Sequence, residues 1–412
     1  MRSWMLLIGV SFLLLSVTCS DTEENHKIKN RDLRQMSAAE NQIINTDNTF
    51  GFELFSKINK ADSSVNIFIS PLSVSLALGM ALNGAAGETL AEMQQMIKMN
   101  DLTLDEINQA YLSLITFLME LDSKVIFEIA NSIWYQEGFS IKPDFLSVNQ
   151  TWYQAEVHSL NFNLSSAKDI INQWVANKTH DKIDTIIDEI DPMVIMFLIN
   201  AIYFKGEWSY QFNHEQTYNG NFQSASNGNT PCRMMIQKNL FDYYKNDQFQ
   251  AIDLPYGDSL FRMTVVLPTD GENLADLINE LDGLTWQSML DRMEPDSGTL
   301  YLPKFKLEYE IQLNDILQAL GMQAAFNPIT ANFSNITDEK IFISEVKHKT
   351  FIEVDEEGAE AAAVTSISFE VTSMPPQEQF SMVVNRPFLF VIHESHTQSI
   401  LFIGKIGDVK TE

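Results

Sequence analysis

Imidazoles are the first place to look for chemistry, and the chain has seven: His26, His158, His180, His214, His348, His393 and His396. None belongs to a zincin pattern. His393-Glu394-Ser395-His396 sets two rings three residues apart between strand-like runs, where it reads as a turn, and no metal is expected there. No Gly-x-Ser-x-Gly elbow, Walker loop or Gly-x-Gly-x-x-Gly fingerprint occurs. Acidic residues are plentiful, yet no spacing singles out a pair for acid/base work. The expectation is a protein without catalytic residues, metal or cofactor.

A different chemistry is offered by residues 353–372, Glu-Val-Asp-Glu-Glu-Gly-Ala-Glu-Ala-Ala-Ala-Val-Thr-Ser-Ile-Ser-Phe-Glu-Val-Thr. From Ala359 the odd positions are Ala359, Ala361, Ala363, Thr365, Ile367, Phe369 and Val371, mostly apolar and graded from small to large. The even positions, Glu360, Ala362, Val364, Ser366, Ser368, Glu370 and Thr372, are mostly polar. Period two is the signature of a strand with one buried face. Gly and Pro are absent from Ala359 to Thr372, so nothing bars this stretch from the middle of a sheet. Alanine is nevertheless a poor strand former, and small side chains suit a segment that slides between two existing strands. The pattern fits a loop that becomes a strand; it also fits an ordinary strand preceded by an Ala-rich helical turn.

The elements that would position such a segment are legible in outline. Ser70-Pro71 opens a helix, and Leu72 to Leu82 is apolar nearly all round, hence buried, with Gly84 at its end. Ser165-Ser166 with Asp169 starts another, whose Ile170, Ile171, Trp174 and Val175 share one face. Met193 to Phe204 is a long apolar run read as a central buried strand. Further strands are expected at 262–267, 298–303, 340–352, 388–393 and 400–406. Helices crowd the first half and strands the second, which is α+β.

Bulk properties set the surroundings. Arg2, the apolar run Trp4 to Leu15 and Val17-Thr18-Cys19-Ser20 read as an export signal over 1–20, too short for a membrane span of about 20 residues. Cys19 followed by an acidic stretch also fits bacterial lipidation, although Thr18 is unusual before such a cysteine. Both readings take the chain out of the cytoplasm: secreted and extracellular, or an outer-surface lipoprotein if bacterial, with a lipid anchor then its sole membrane contact. Residues 21–46 read as a flexible polar lead-in. With Cys19 removed or lipidated, Cys232 is left alone and no internal disulfide is available. The formal charge of −28, from 55 acidic and 27 basic side chains, excludes nucleic acid as a partner and argues against heparin. Sequons stand at Asn149, Asn163, Asn177, Asn332 and Asn335.

Glu356-Glu357-Gly358-Ala359-Glu360-Ala361-Ala362-Ala363 resembles the hinge of the serpins, the stretch of their reactive loop that first enters the large sheet. Asn66-Ile67-Phe68-Ile69-Ser70-Pro71-Leu72-Ser73 is similar to the opening of their buried helix. Ile171-Asn172-Gln173-Trp174-Val175 with Thr179 and Lys182-Ile183 resembles the helix that lies over the sheet. Asn200 through Trp208 resembles the central strand, and Arg386-Pro387-Phe388-Leu389-Phe390 with Phe402-Ile403-Gly404-Lys405 the terminal ones. The matches run in order from about Phe50 to Val409. The resemblance implies an α+β serpin fold: one large domain over 47–412, three β-sheets, about nine helices, an exposed reactive loop near 358–380, and a monomer.

It implies an inhibitor that acts as a suicide substrate for serine proteases. Counted as in the family, the scissile bond falls at Thr372–Ser373, to within one or two residues. No Lys or Arg lies between Lys349 and Arg386, so a trypsin-like pocket finds no partner. Thr372 and Val371 suit an elastase-like pocket. Phe369 offers a second bait to chymotrypsin-like enzymes, and Val371 one to papain-like cysteine proteases. Ser70, Ser73, Asn200 and His348 match the family's shutter and Trp208 its breach. Taken singly, each has a plainer reading as a cap, a core amide, a satisfied imidazole or a packed ring. Ala359 departs from the family, where Thr or Ser is commoner. The alternative is a non-inhibitory binding or carrier serpin, cleaved as a plain substrate.

Overall fold

The computed structural model describes residues 33–226, 228–359 and 380–409. Contacts divide the chain into Met1–Gln35 and Met36–Glu412, and among the described residues the second unit carries every regular element. Nine α-helices form among the described residues. They are α1 (Ala38–Ala61), α2 (Pro71–Leu82), α3 (Gly87–Met96), α4 (Leu104–Glu120) and α5 (Pro143–Trp152), then α6 (Ala167–Lys178), α7 (Leu274–Glu280), α8 (Gly283–Leu290) and α9 (Asn314–Ala319). The strands begin with β1 (Ile67–Ile69), β2 (Val125–Gln136), β3 (Glu156–Leu160), β4 (Met196–Glu207), β5 (Tyr218–Ser224), β6 (Gly228–Lys245), β7 (Phe249–Tyr256) and β8 (Phe261–Pro268). They continue with β9 (Glu294–Pro303), β10 (Phe305–Gln312), β11 (Lys347–Val354), β12 (Gly358–Ala359), β13 (Phe380–Val383), β14 (Phe388–Glu394) and β15 (Ile400–Ile406).

Hydrogen bonds join these strands into a six-stranded sheet, ordered β10-β11-β12-β4-β2-β3, and a nine-stranded one. Where the family resemblance implies three sheets, the 18-residue β6 ties two of them together. It pairs with β5 at one end, β9 along its middle and β7 at the other end. The core between sheets and helices is rich in aromatic rings, with Phe68 stacked on Phe402 and on Phe390.

Local sequence accounts for the helix that matters most. Ser70 caps α2, its Oγ accepting from the N–H of Ser73, and Pro71 occupies the first turn. Gly84 follows α2 for a different reason than a left-handed cap: a side chain there would collide with Ile336.

Four expectations are corrected. The polar lead-in is helical from Ala38 onward, because Ser37 and Glu40 form a capping box and Ile43 and Ile44 are buried. In α6, Ser166 makes no side-chain cap, and Ile170 is 45% exposed while Ile171, Trp174 and Val175 are buried. Strand β4 starts at Met196, leaving Met193 exposed. The strand expected over 340–352 begins only at Lys347, since the N–H groups of Ile343 and Val346 bond to Ala325 O and Asn314 Oδ1.

Candidate functional site

Strand β11 ends at Val354, and the chain reverses over Asp355–Gly358 into β12. The turn closes on itself: Asp355 N–H donates to Gly358 O at 3.0 Å, and Asp355 Oδ1 accepts from the N–H groups of Glu357 and Gly358. β12 then lies between two strands. Ala359 pairs with Val354 of β11 and with Gly206 of β4, and Gly358 pairs with Glu207. A Cβ at Gly358 would sit 2.7 Å from Glu207 Cα, so only glycine lets the hinge approach β4 this closely. Gly358 and Ala359 are thus seated in the sheet, with Ala359 buried.

Trp208, Thr217, Lys304 and His214 hold the turn. The Trp208 indole donates to Asp355 O at 2.9 Å, its backbone N–H donates to Glu357 O, and its ring stacks on Tyr256 at 4.3 Å. Glu356 is buried; Oε1 accepts from Thr217 Oγ1 and Oε2 meets Lys304 Nζ, each at 2.7 Å. Burial alone would raise the Glu356 pKa, but Lys304 and Thr217 outweigh it and hold the carboxyl below the usual carboxylate range. His214, in a 3₁₀ turn over His214–Gln216, places Nδ1 3.4 Å from Glu356 and Nε2 3.5 Å from Glu357.

Beyond Ala359, no ladder among the described residues joins β4 to β11. A slot runs there, with Ile202 and Phe204 on one side and Thr350 and Ile352 on the other. The stretch after α6 crosses it as a strap. Asn172 Oδ1 accepts from the N–H groups of Ile186 and Ile187, whose neighbours Ile183 and Ile187 bury against Trp134 and Trp174. The far end is clasped to β11 by Asp188–Lys347 at 2.8 Å, with Lys182 over the Phe351 ring.

Deeper under the sheet, Ser70 N–H donates to His348 Nε2 at 3.0 Å, and Ser70 Oγ donates to Leu401 O at 2.7 Å while accepting from Ser73 N–H. Burial pushes the His348 pKa down to about 4, so the ring is neutral and Nε2 is its acceptor. Asn200 is bonded elsewhere: its Nδ2 donates to Asn131 Oδ1, which lies opposite it on β2, and its buried Oδ1 has no hydrogen-bond partner. The structure therefore brings Ser70, Ser73 and His348 together, and pairs Asn200 with Asn131.

Of the other residues singled out in the sequence, Glu356, Glu357, Gly358, Ala359 and Trp208 meet at the turn. Glu360, Ala361, Ala362, Ala363, Phe369, Val371, Thr372, Ser373 and Cys19 lie outside the described residues. His393 belongs to strand β14, with the turn beginning after Glu394. It is buried against Thr264 Oγ1 at 2.9 Å and Asp253 Oδ1 at 3.4 Å, both on the same ring nitrogen. That is a structural cluster, since a relay needs its base and its orienting carboxylate on opposite nitrogens. Among the described residues no group of three metal-ligating side chains converges. Sequence reasoning missed Lys304, Thr217, His214 and Asn131, which have no local pattern and are found only by their long-range bonds. Of the sequons, Asn149 is fully buried, its amide donating to Phe145 O and Met80 O.

Comparison with known proteins adds a lineage to this geometry. Residues 45–409 match the family model described as Serpin (serine protease inhibitor). The chain is 33% identical over 384 residues to human Serpin B11, covering 87% of this chain and 97% of that protein. It is 33% identical over 379 residues to the human leukocyte elastase inhibitor, covering 89% and 99%. The crystal structure of human thyroxine-binding globulin in complex with thyroxine superposes with a TM-score of 0.83 at 27% identity, over 91% of this chain and all of that one.

Proposed function

The chain belongs to the serpin family, whose members are protease inhibitors and not enzymes, and from that premise we propose that it traps its protease as a suicide substrate. The protease cleaves near Thr372–Ser373, stays attached as an acyl-enzyme, and is carried off as residues 358–372 enter the slot between β4 and β11. The observation that carries this reading is β12: Ala359 already pairs with both flanking strands, and Gly358 with β4. Fourteen residues at ~3.3 Å each span ~46 Å, and new ladder bonds at roughly 0.5–1.5 kcal/mol apiece supply on the order of 10 kcal/mol. That is comparable to a domain's whole stability, so insertion can distort an attached enzyme, and the loop-exposed form is held kinetically.

The bait supports elastase-like or chymotrypsin-like targets, with papain-like cysteine proteases as a further class. The segment from Thr350 to Asn385 has no basic residue for a trypsin-like pocket, and Phe369, Val371 and Thr372 are small or apolar baits. One relative is named for elastase inhibition, which agrees with this choice. We also propose export through the leader at 1–20, by secretion or by lipidation at Cys19, and a net charge of −28 leaves no attraction for heparin. The likeness to a thyroxine carrier favours a second reading, a binding serpin cleaved without trapping. Small residues at Ala359, Ala361 and Ala363 speak against it, since they leave insertion unobstructed.

The test is incubation with pancreatic elastase and with chymotrypsin, followed on denaturing gels and by the mass of the released C-terminal peptide. A complex that survives denaturation, with a fragment starting at Ser373, is the expected outcome. Clean cleavage without a complex would favour the carrier reading.

A further inference from the structure

Two consecutive carboxylates at the hinge turn share too few fixed cations. Lys304 serves Glu356. Glu357 has a side chain only 17% exposed, its Oε2 is buried without a hydrogen-bond partner, and the group facing its Oε1 is the His214 imidazole. The imidazole bridges both acids, one nitrogen toward each, while remaining 61% exposed and open to solvent protons. Other charged groups nearby are Glu215 in the same 3₁₀ turn and Arg233, whose guanidinium donates to Thr217 O and Asn219 Oδ1. A histidine changes charge between about pH 5 and pH 8, whereas Lys304 and Arg233 do not.

We propose that His214 is a pH-dependent positioning residue for the trap: protonated, it clamps Glu356 and Glu357 and holds the hinge turn in the sheet; neutral, it leaves Glu357 uncompensated and the turn looser. This rests on the insertion reading above and assigns that site a regulator. The clamp acts on the step that matters, because the turn fixes the start of β12 through Trp208 N–H to Glu357 O and Phe212 N–H to Glu356 O. Acidic surroundings then favour trapping over plain cleavage.

The experiment compares the wild type with His214→Gln, which is always neutral, and His214→Lys, which is always charged, at pH 5.5, 6.5, 7.5 and 8.5. The first readout needs no protease: hydrogen exchange of the Trp208, Phe212, Glu357 and Gly358 amides, corrected for the intrinsic pH dependence. Wild-type protection should rise about two- to fivefold toward pH 5.5. His214→Gln should stay at the alkaline level throughout, and His214→Lys at the acid level. The second readout is the fraction of elastase or chymotrypsin captured covalently, which should follow the same pattern. Identical pH trends in the wild type and His214→Gln would overturn the proposal. No covalent complex at any pH would instead sink the trapping reading, with the exchange data still deciding the clamp.

Discussion

His348 accepts, at Nε2, the backbone N–H of Ser70 at 3.0 Å, a bond that ties β11 to the first turn of α2 across 278 residues of chain. It can form only while that nitrogen is unprotonated. The bond stitches the inner face of the six-stranded sheet to the helix beneath it, where Thr350 Oγ1 also donates to Phe68 O at 2.6 Å.

Acid should therefore loosen the shutter. Burial depresses the His348 pKa to about 4 from 6.5, so the unfolded chain takes up the proton first. The stabilisation is full above pH 6.5 and is lost as pH falls toward 4, reaching about 3 kcal/mol. His348→Gln should lose about 1–3 kcal/mol at pH 7.5 and abolish the slope between pH 6.5 and 4. Urea unfolding at pH 4.5, 5.5 and 7.5 measures both.

An opposing slope comes from Asp47 in α1. Burial pushes its carboxyl up to about 7, against the hydrogen bond from Tyr111, and Oδ2 has no hydrogen-bond partner. Here the folded chain holds the proton more tightly, so stability is full below about pH 4 and is lost as pH rises through 7, by about 4 kcal/mol. His348 and Asp47 offset each other in the wild type. Asp47→Asn should unmask a profile that only rises with pH, and should be the more stable protein at pH 8. A melting temperature at pH 8 that falls below wild type would contradict this.

The turn's buried ion pair gives a sharper outcome. Glu356→Lys sets a second cation against Lys304 where the two now meet at 2.7 Å, and leaves Thr217 without its acceptor. With the Lys304 side chain 36% exposed, solvent screens part of the attraction, and breaking the pair costs about 1.5–3 kcal/mol. The variant should melt earlier and, with the hinge unseated, show oligomers on gel filtration. Adding Lys304→Glu should recover part of the loss, and no recovery would mean that shape rather than charge holds the turn.

How far the sequence carried this reading depends on the range of each interaction. Ser70-Pro71 announced α2 because capping is local, whereas the alternation after Ala359 lies outside the described residues, and of that stretch only Ala359 is placed, in β12. Glu356 stood out in the sequence, but its partner Thr217 lies 139 residues away and no spacing rule reaches that far. The start of α1 was missed although Ser37 and Glu40 carry the capping-box spacing, since the apolar stripe behind them is thin until Ile43. Ile341, Phe342 and Ile343 looked like strand; acceptors on Ala325, in a 3₁₀ turn, and Asn314, at the start of α9, took the N–H groups of Ile343 and Val346 that a ladder would have used.

The two seated residues fix a register, and the register makes a prediction. Ala359 opposite Gly206 on β4 and Val354 on β11 carries forward, two by two, to Thr365 opposite both Asn200 and His348. Thr365 is the one polar member of the set Ala359, Ala361, Ala363, Thr365, Ile367, Phe369 and Val371. Asn200 Oδ1 is buried and lacks a donor. On insertion the Thr365 hydroxyl supplies it, so Thr365→Val should lower the stability of the cleaved, inserted form by about 1 kcal/mol while leaving the uncleaved form unchanged. Ala361→Arg, on the same inward face nearer the hinge, should block insertion and turn inhibitor into substrate. Thermal unfolding of cleaved and uncleaved protein tests the first, and covalent capture on gels the second. Full capture by Ala361→Arg would mean that the loop does not enter between β4 and β11.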